Sequence, residues 1–333
     1  MLTTLKQLSA LVAPSGWEDA AGAYVAEKAR SLGLAPEKDS LGNIHVKKPG
    51  AKSPARLVAL TAYLDEPGMM LKTITEDGLF RFGLTGDTDP RTILGKTVLA
   101  GEHAHKGVVG RKPIHLTTPQ ERKTMPKTEE LYLDLGALDQ AQAETMAQPG
   151  DYAVFAPEFL ELGPHEILAK AMGRSVGCGV LLALMERELP VDVTFVFTTQ
   201  RQVGSRGAMA AAARLQPGVS ISLELCPANG EKQPKLGAGP VLPAVDQSAI
   251  YDRSLTEIIK NAAPAALQSW AETEDGSDGG VFQRAGGGAR AAALCCPAKY
   301  LTGPYPVIDR RDYQALPEFL LVGLQVLAAQ PWL

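Results

Sequence analysis

Apolar residues recur along this chain with two periods, and the alternation between them lays out its elements. Leu5, Leu8, Leu11 and Val12 repeat at helical spacing, as do Ala21, Tyr24, Val25 and Leu32. Between these stripes, Ser15-Gly16-Trp17-Glu18 has the Ser-x-x-Glu form of a capping box and predicts where the second helix starts. Asp39-Ser40-Leu41-Gly42-Asn43 reads as a turn between two strands, the second carrying Ile44 and Val46. His45 alternates with them, so it is expected on the strand's other face, at the surface. Apolar runs at 57–63 and 193–199 predict buried strands, the second with six β-branched or aromatic residues in a row. Ser205 then offers an N-cap to an alanine-rich helix over 208–214. In an open α/β sheet, ligands bind at the loop leaving such a strand, so residues 200–204 should line any active site.

Over residues 66–161 the pattern changes to short β-type segments at 69–74, 79–82, 97–99, 107–110 and 152–155. They sit between turns rich in Gly, Asp and Pro, which suggests a small β domain. Beyond Gly163, helix and strand alternate again. Val176, Val180, Leu181 and Leu184 line one helix, a strand follows at 219–225, and Tyr313, Leu316, Leu320, Leu324 and Leu327 line the last helix, with Pro317 bending it or moving its start. This alternation implies a mostly parallel sheet covered on both faces.

The 333 residues suffice for two domains or for one large domain with an insertion. A net charge of −4 gives no reason to expect nucleic-acid or membrane binding. The N-terminal residues lack a signal-peptide core, and no run approaches the roughly 20 apolar residues of a membrane span. Cys178, Cys226, Cys295 and Cys296 form no CxxC pair or secreted framework, so reduced thiols in a cytoplasmic protein are expected.

Among isolated candidates, His103 and His105 would share a strand face, with His115 following. Lacking a third-ligand pattern, they read as surface or interface residues. Cys226 follows the 219–225 strand and is expected to face a cleft as an inert thiol, since no histidine base is predicted beside it. Cys178, on an apolar helix, reads as core. Asp278, in Gly276-Ser277-Asp278-Gly279-Gly280, reads either as a cap for the helix after it or as part of a substrate-side loop.

The 193–208 stretch, with its Gln200-Arg201-Gln202-Val203-Gly204 loop, closely resembles a signature of the M42 metallo-aminopeptidases. Further matches run nearly end to end: Ser15-Gly16-Trp17-Glu18-Asp19, Asp65-Glu66-Pro67-Gly68-Met69, Asp89-Pro90-Arg91, Lys112-Pro113-Ile114-His115-Leu116, Gly237-Ala238-Gly239-Pro240 and Tyr300-Leu301. The resemblance implies a three-layer α/β/α peptidase domain over 1–65 and 162–333. It also implies an inserted small β-barrel-like domain over 66–161 that helps build dimers and dodecameric shells. Such enzymes hold two divalent ions, such as zinc or cobalt, with His and carboxylate ligands, and a glutamate base takes a proton from the bridging water.

Residue by residue, the resemblance places Tyr63 where the family has its first His ligand, with Asp65 retained. Gly173, followed by Arg174, stands for the bridging aspartate. Arg201 and Gln202 stand for the base and the next ligand, Glu224 keeps an acid, and Thr302 replaces the last His. The Asp278 loop resembles the family's substrate-side loop. No catalytic residue, metal ligand or cofactor is therefore expected, and Tyr63, Asp65, Gly173, Arg174, Arg201, Gln202, Glu224 and Thr302 would line a vestigial cleft. The expectation is a catalytically inactive homologue acting as a structural, regulatory or ligand-binding subunit. Its partners would be copies of itself, an active paralogue, and a peptide or small ligand, but no nucleic acid or membrane. Two alternatives are a cytosolic metallo-aminopeptidase with an atypical metal site and a different enzyme reusing the cleft. Two clustered carboxylates without their cations would raise one another's pKa. Arg201, with Arg174, is accordingly expected to pair with Asp65 or Glu224.

Overall fold

The computed structural model describes residues 1–271 and 276–332. A large sheet is built around four parallel strands in the spatial order Val193–Thr198, Val58–Tyr63, Val219–Pro227, Arg290–Lys299. Antiparallel strands extend it on both sides. Ile44–Lys48 and Pro36–Lys38 add to the first edge, and Val307–Asp309, Glu166–Ala169 and Phe159–Leu162 to the other. The sheet is therefore mixed rather than mostly parallel. The Asp39–Asn43 turn is too short to carry the chain back to the start of a neighbouring strand, so the two strands it joins must be antiparallel.

Period-two alternation sends successive residues to different layers. Val58, Leu60 and Ala62, with Phe195 and Phe197, pack into the main core beneath the helices Leu2–Ala10, Asp19–Ser31, Met172–Met185 and Arg310–Leu327. Ala59 and Val196 point the other way, against Ala208, Ala211 and Ala212 of the Arg206–Leu215 helix and Phe282 of the short helix Asp278–Gln283. This is the three-layer α/β/α arrangement. Pro317 lies inside the last helix and is buried.

His45 corrects the sequence reading: it is 3 % exposed, and its Nε2 lies 3.0 Å from Asp39 Oδ2. Its face of the strand is covered too. Asn43, on that same face, donates to the carbonyl of Gly207 where the Arg206–Leu215 helix begins. Ser205 does precede that helix, but with φ of 51° and no capping bond from its hydroxyl.

Strands Gly68–Ile74, Phe80–Thr85, Leu131–Asp134, His105–Arg111, Thr97–Ala100 and Tyr152–Phe155 close in that order into an antiparallel barrel with its own apolar core. The expected boundary at 161 falls inside Phe159–Leu162, a strand of the large sheet. The barrel abuts the other layers where the Trp17 ring meets Tyr152, tilted, with centroids 5.2 Å apart, and where the amide of Asp89 donates to the carbonyl of Thr302. Among the described residues no helix is long and apolar enough to cross a membrane.

Candidate active-site cleft

The carboxyl ends of the parallel strands open into a cleft of about 390 Å³. Tyr63, Asp65, Gly173, Arg174, Arg201, Gln202, Glu224 and Thr302 all line it. Residues spread over 240 positions of sequence are thus brought together, as the strand-end rule for α/β sheets requires. Asp278 stands just behind them, its amide donating to Glu224 Oε1 at 3.3 Å.

Asp65 is fully buried and accepts from the Ser15 hydroxyl at 2.6 Å and from the amides of Arg201 and Gln202 at 3.0 and 2.9 Å. Burial pushes its carboxyl up to about 6, and the charge of Glu18 acts the same way, while these three bonds hold it down. Ser15 and Glu18 do not form the expected capping box. The Asp19–Ser31 helix has no side-chain cap, Ser15 serves Asp65, and Glu18 Oε1 accepts from the amide of Gln200 at 2.8 Å. A local motif has been recruited to fix the loop that carries Arg201.

The Arg201 guanidinium lies with Nη2 3.9 Å from Glu224 Oε2 and Nε 3.8 Å from Asp278 Oδ1. Nη2 also donates to the carbonyl of Gly276. The guanidinium carbon sits 5.7 Å from the ring centroid of Tyr63, within cation–π range. Unit charges about 4 Å apart attract by roughly 4 kcal/mol at an effective dielectric of 20, before desolvation is counted. Arg201 therefore pairs with Glu224, as expected, and with Asp278 as well. It meets Asp65 through its backbone amide.

Arg174 corrects the other half of that expectation. Its side chain is wholly buried and turned away from Asp65 and Glu224. Nη1 lies 3.4 Å from Glu66 Oε1, and Nη2 donates to the carbonyls of Leu8 and Leu11. Lys170, also buried, donates to both Glu66 oxygens at 2.9 and 2.8 Å, and desolvation lowers its pKa. Sequence reasoning missed Glu66 and Lys170. The signal was Glu66 itself, an acid beside Asp65 with a predicted arginine nearby.

Tyr63 and Gly173 form one unit. A Cβ placed on Gly173 would lie 1.7 Å from the Tyr63 phenol oxygen and 2.8 Å from the ring carbon bearing it. The tyrosine side chain thus occupies the space that any side chain at 173 would need.

Asp278 is not the cap of its helix. Ser277 is, accepting from the amide of Gly279, while buried Asp278 takes the Thr198 hydroxyl at 2.6 Å. Cys178 lies in the core, its thiol bonded to the Tyr63 carbonyl and pushed up to about 12 by burial. Cys226 lines the cleft and is buried. His103 and His105 do not share a strand face. His105 starts the His105–Arg111 strand while His103 lies in the turn before it, with the rings edge to face at 6.1 Å, and His115 is on a separate 3-10 turn.

The sequence profile of the family described as M42 glutamyl aminopeptidase matches residues 42–319. The chain belongs to that family. The glutamyl aminopeptidase of Lactococcus lactis subsp. cremoris is 28% identical to it, over 95% of this chain and 93% of the relative. The lysyl aminopeptidase of Pyrococcus furiosus is 27% identical over 82% of each chain. Among solved structures, aminopeptidase APDkam598 of Desulfurococcus kamchatkensis superposes with a TM-score of 0.90 at 28% identity, covering 97% of this chain and 94% of that one. The Pyrococcus horikoshii TET1 peptidase, which can assemble into a tetrahedron or a large octahedral shell, gives 0.86 at 27% identity, with 98% of each chain covered.

A phenol fills the space over Gly173, a guanidinium lies between Glu224 and Asp278, and the Asp65 oxygens are taken up by an O–H and two N–H donors. Among the described residues no group of three or more His, Cys, Asp or Glu is placed to hold a metal ion.

Proposed function

We propose that this chain is a non-hydrolytic M42 homologue that keeps the peptidase cleft as a binding site and assembles with copies of itself. The observation that carries this reading is the pairing of Tyr63 with Gly173 beside the Arg201 guanidinium. Side-chain bulk and positive charge stand where the family's chemistry calls for a bridging carboxylate and a base. Loss of a general base commonly removes about a hundredfold to ten-thousandfold in rate. Loss of the metals removes the activated water itself.

A cleft of about 390 Å³ is of a size that takes a short peptide end or a small molecule. Self-association is supported by the assemblies named for the TET1 peptidase and by a closed barrel with a core of its own. An active paralogue is a further candidate partner in such an assembly.

The names of the relatives favour a second reading, a metallo-aminopeptidase with an atypical metal arrangement. Assays on aminoacyl-nitroanilides and short peptides, with zinc, cobalt or manganese supplied, separate the two. The expected result is no turnover in either the wild-type protein or Arg201→Glu, because Tyr63, Gly173 and Thr302 still provide no ligands of the family type. Metal-dependent turnover abolished by Asp65→Ala would overturn the proposal. Light scattering at micromolar concentration tests the assembly, and a monomer would count against it.

A further inference from the structure

The four cysteines are free and divide into two environments. Cys178 and Cys296 pack into the main core, whereas Cys226 and Cys295 belong to a smaller apolar cluster with Val241, Tyr251 and Trp270, and both line the cleft. Their placement follows from strand register. Glu224 pairs with Cys295 across two parallel strands, so Cys226, two residues beyond Glu224, shares its face. Cys226 and Cys295 are thus diagonal neighbours on one face of the paired strands, within that one cluster. Side chains at diagonal positions can reach one another, and one ion at about 2.3 Å from each sulfur would join the two thiols.

We infer that Cys226 and Cys295 form a chelating dithiol in the cleft wall that takes a soft, thiophilic cation. On binding, two S–H bonds break, two sulfur–metal bonds form, and two protons leave to solvent. At rest the pair is not a nucleophile. The neighbouring Cys226 thiol and burial, with the charges of Glu224 and Asp246, raise the Cys295 thiol well above its ordinary value. The same surroundings favour a cation, since it neutralises both thiolates and is attracted by those two carboxylates. The carboxylates do not complete a protein ligand set with the sulfurs. The remaining coordination therefore falls to water or a cleft ligand, and ions that prefer oxygen gain little. Two thiolates suit soft ions instead. This site does not depend on whether the cleft hydrolyses peptides.

The test uses the whole reduced protein, titrated with cadmium and read by thiolate-to-cadmium charge-transfer absorption and by proton release. One cadmium per chain and two protons per ion are expected. The band should be lost in Cys226→Ser and in Cys295→Ser and kept in Cys178→Ser. A band retained in either of the first two variants, or none in the wild type, overturns the inference. Wild-type protein treated with phenylarsine oxide gives a check that needs no variant. Its arsenic–oxygen bond is replaced by two arsenic–sulfur bonds with release of water. One arsenical should attach per chain, with Cys226 and Cys295 both protected from alkylation on peptide mapping. Alkylation of both at the untreated rate would equally refute it.

Discussion

If Tyr63 and Gly173 are one packing unit, Gly173→Ala should be costly although the residue lies in a helix. Alanine is the better helix former by about 0.8–1 kcal/mol in a helix interior, and residue 173 is the second of the Met172–Met185 helix, where that gain is smaller. Against it stands a Cβ 1.7 Å from the phenol oxygen and 2.8 Å from the adjacent ring carbon, so the ring must move. Forcing extra carbon into a filled site costs about 1–3 kcal/mol. The net expectation is a destabilisation of about 1–2 kcal/mol, since the clash outweighs the helix gain. Urea denaturation of four proteins, wild type, Gly173→Ala, Tyr63→Ala and the double variant, closes the cycle. With the phenol removed, Gly173→Ala should become neutral or stabilising, giving a coupling energy of at least about 1 kcal/mol between the sites. A Gly173→Ala protein as stable as wild type, or an equal cost in both Tyr63 backgrounds, would show that the two positions do not exclude one another.

Asp65 makes a prediction about pH. Burial raises its carboxyl from 3.8 to about 6 in the folded protein, worth roughly 3 kcal/mol. Because the folded state holds the proton more tightly, this contribution is complete below about pH 4 and disappears as pH rises through about 6. The stability of wild type minus that of Asp65→Asn, from denaturation midpoints, should therefore fall between pH 4 and 7; a flat or rising difference would contradict the assignment. Arg201→Met leaves Glu224 and Asp278 without their shared cation and should destabilise by about 1–3 kcal/mol at pH 7. An unchanged or raised unfolding free energy at pH 7 would remove the guanidinium from its proposed place at the centre of the cleft.

Much of the frame was legible because it rests on periodicity. The run at 193–199 gave a buried strand, its exit loop gave the cleft, and the turn at 39–43 gave a hairpin. What escaped depended on partners far away in the chain. Ser15 and Glu18 satisfied a local rule, yet Asp65 and the amide of Gln200 are their partners, 50 and 182 positions away. The alternation around His45 was read correctly, but the face was not at the surface, since in a three-layer fold both faces of a strand are covered. The strand Leu131–Asp134 went unread, although the equally short Thr97–Ala100 and Tyr152–Phe155 were read. At the site, the list of residues followed from the family resemblance, but the pairing did not. Arg174 and Arg201 are equally basic on paper, and only their partners, Glu66 for one and Glu224 with Asp278 for the other, separate their roles.

The backbone around the cleft bears on why such a site would persist. Ala171, Gln200, Ser205 and Tyr300 all adopt left-handed conformations, with φ of 50°, 56°, 51° and 61°, although none is glycine. Each costs roughly 1–2 kcal/mol relative to an ordinary conformation. The strain is held locally: Glu18 grips the amide of Gln200, and Asp65 grips the next two amides. That arrangement uses two buried carboxylates, one of them raised in pKa by its burial, to keep a loop in a shape that it would not adopt alone. A chain that served only as scaffolding would gain stability from glycine at those positions or from a relaxed loop. Strain that surrounding structure over-determines is typical of sites that must present groups in a fixed geometry. What the strained Gln200 turn presents is the Arg201 guanidinium, held among Glu224, Asp278 and the Tyr63 ring in the lining of a cavity large enough for a ligand. That strain fits the proposed reading, in which the cleft is kept as a binding site around the Arg201 cation.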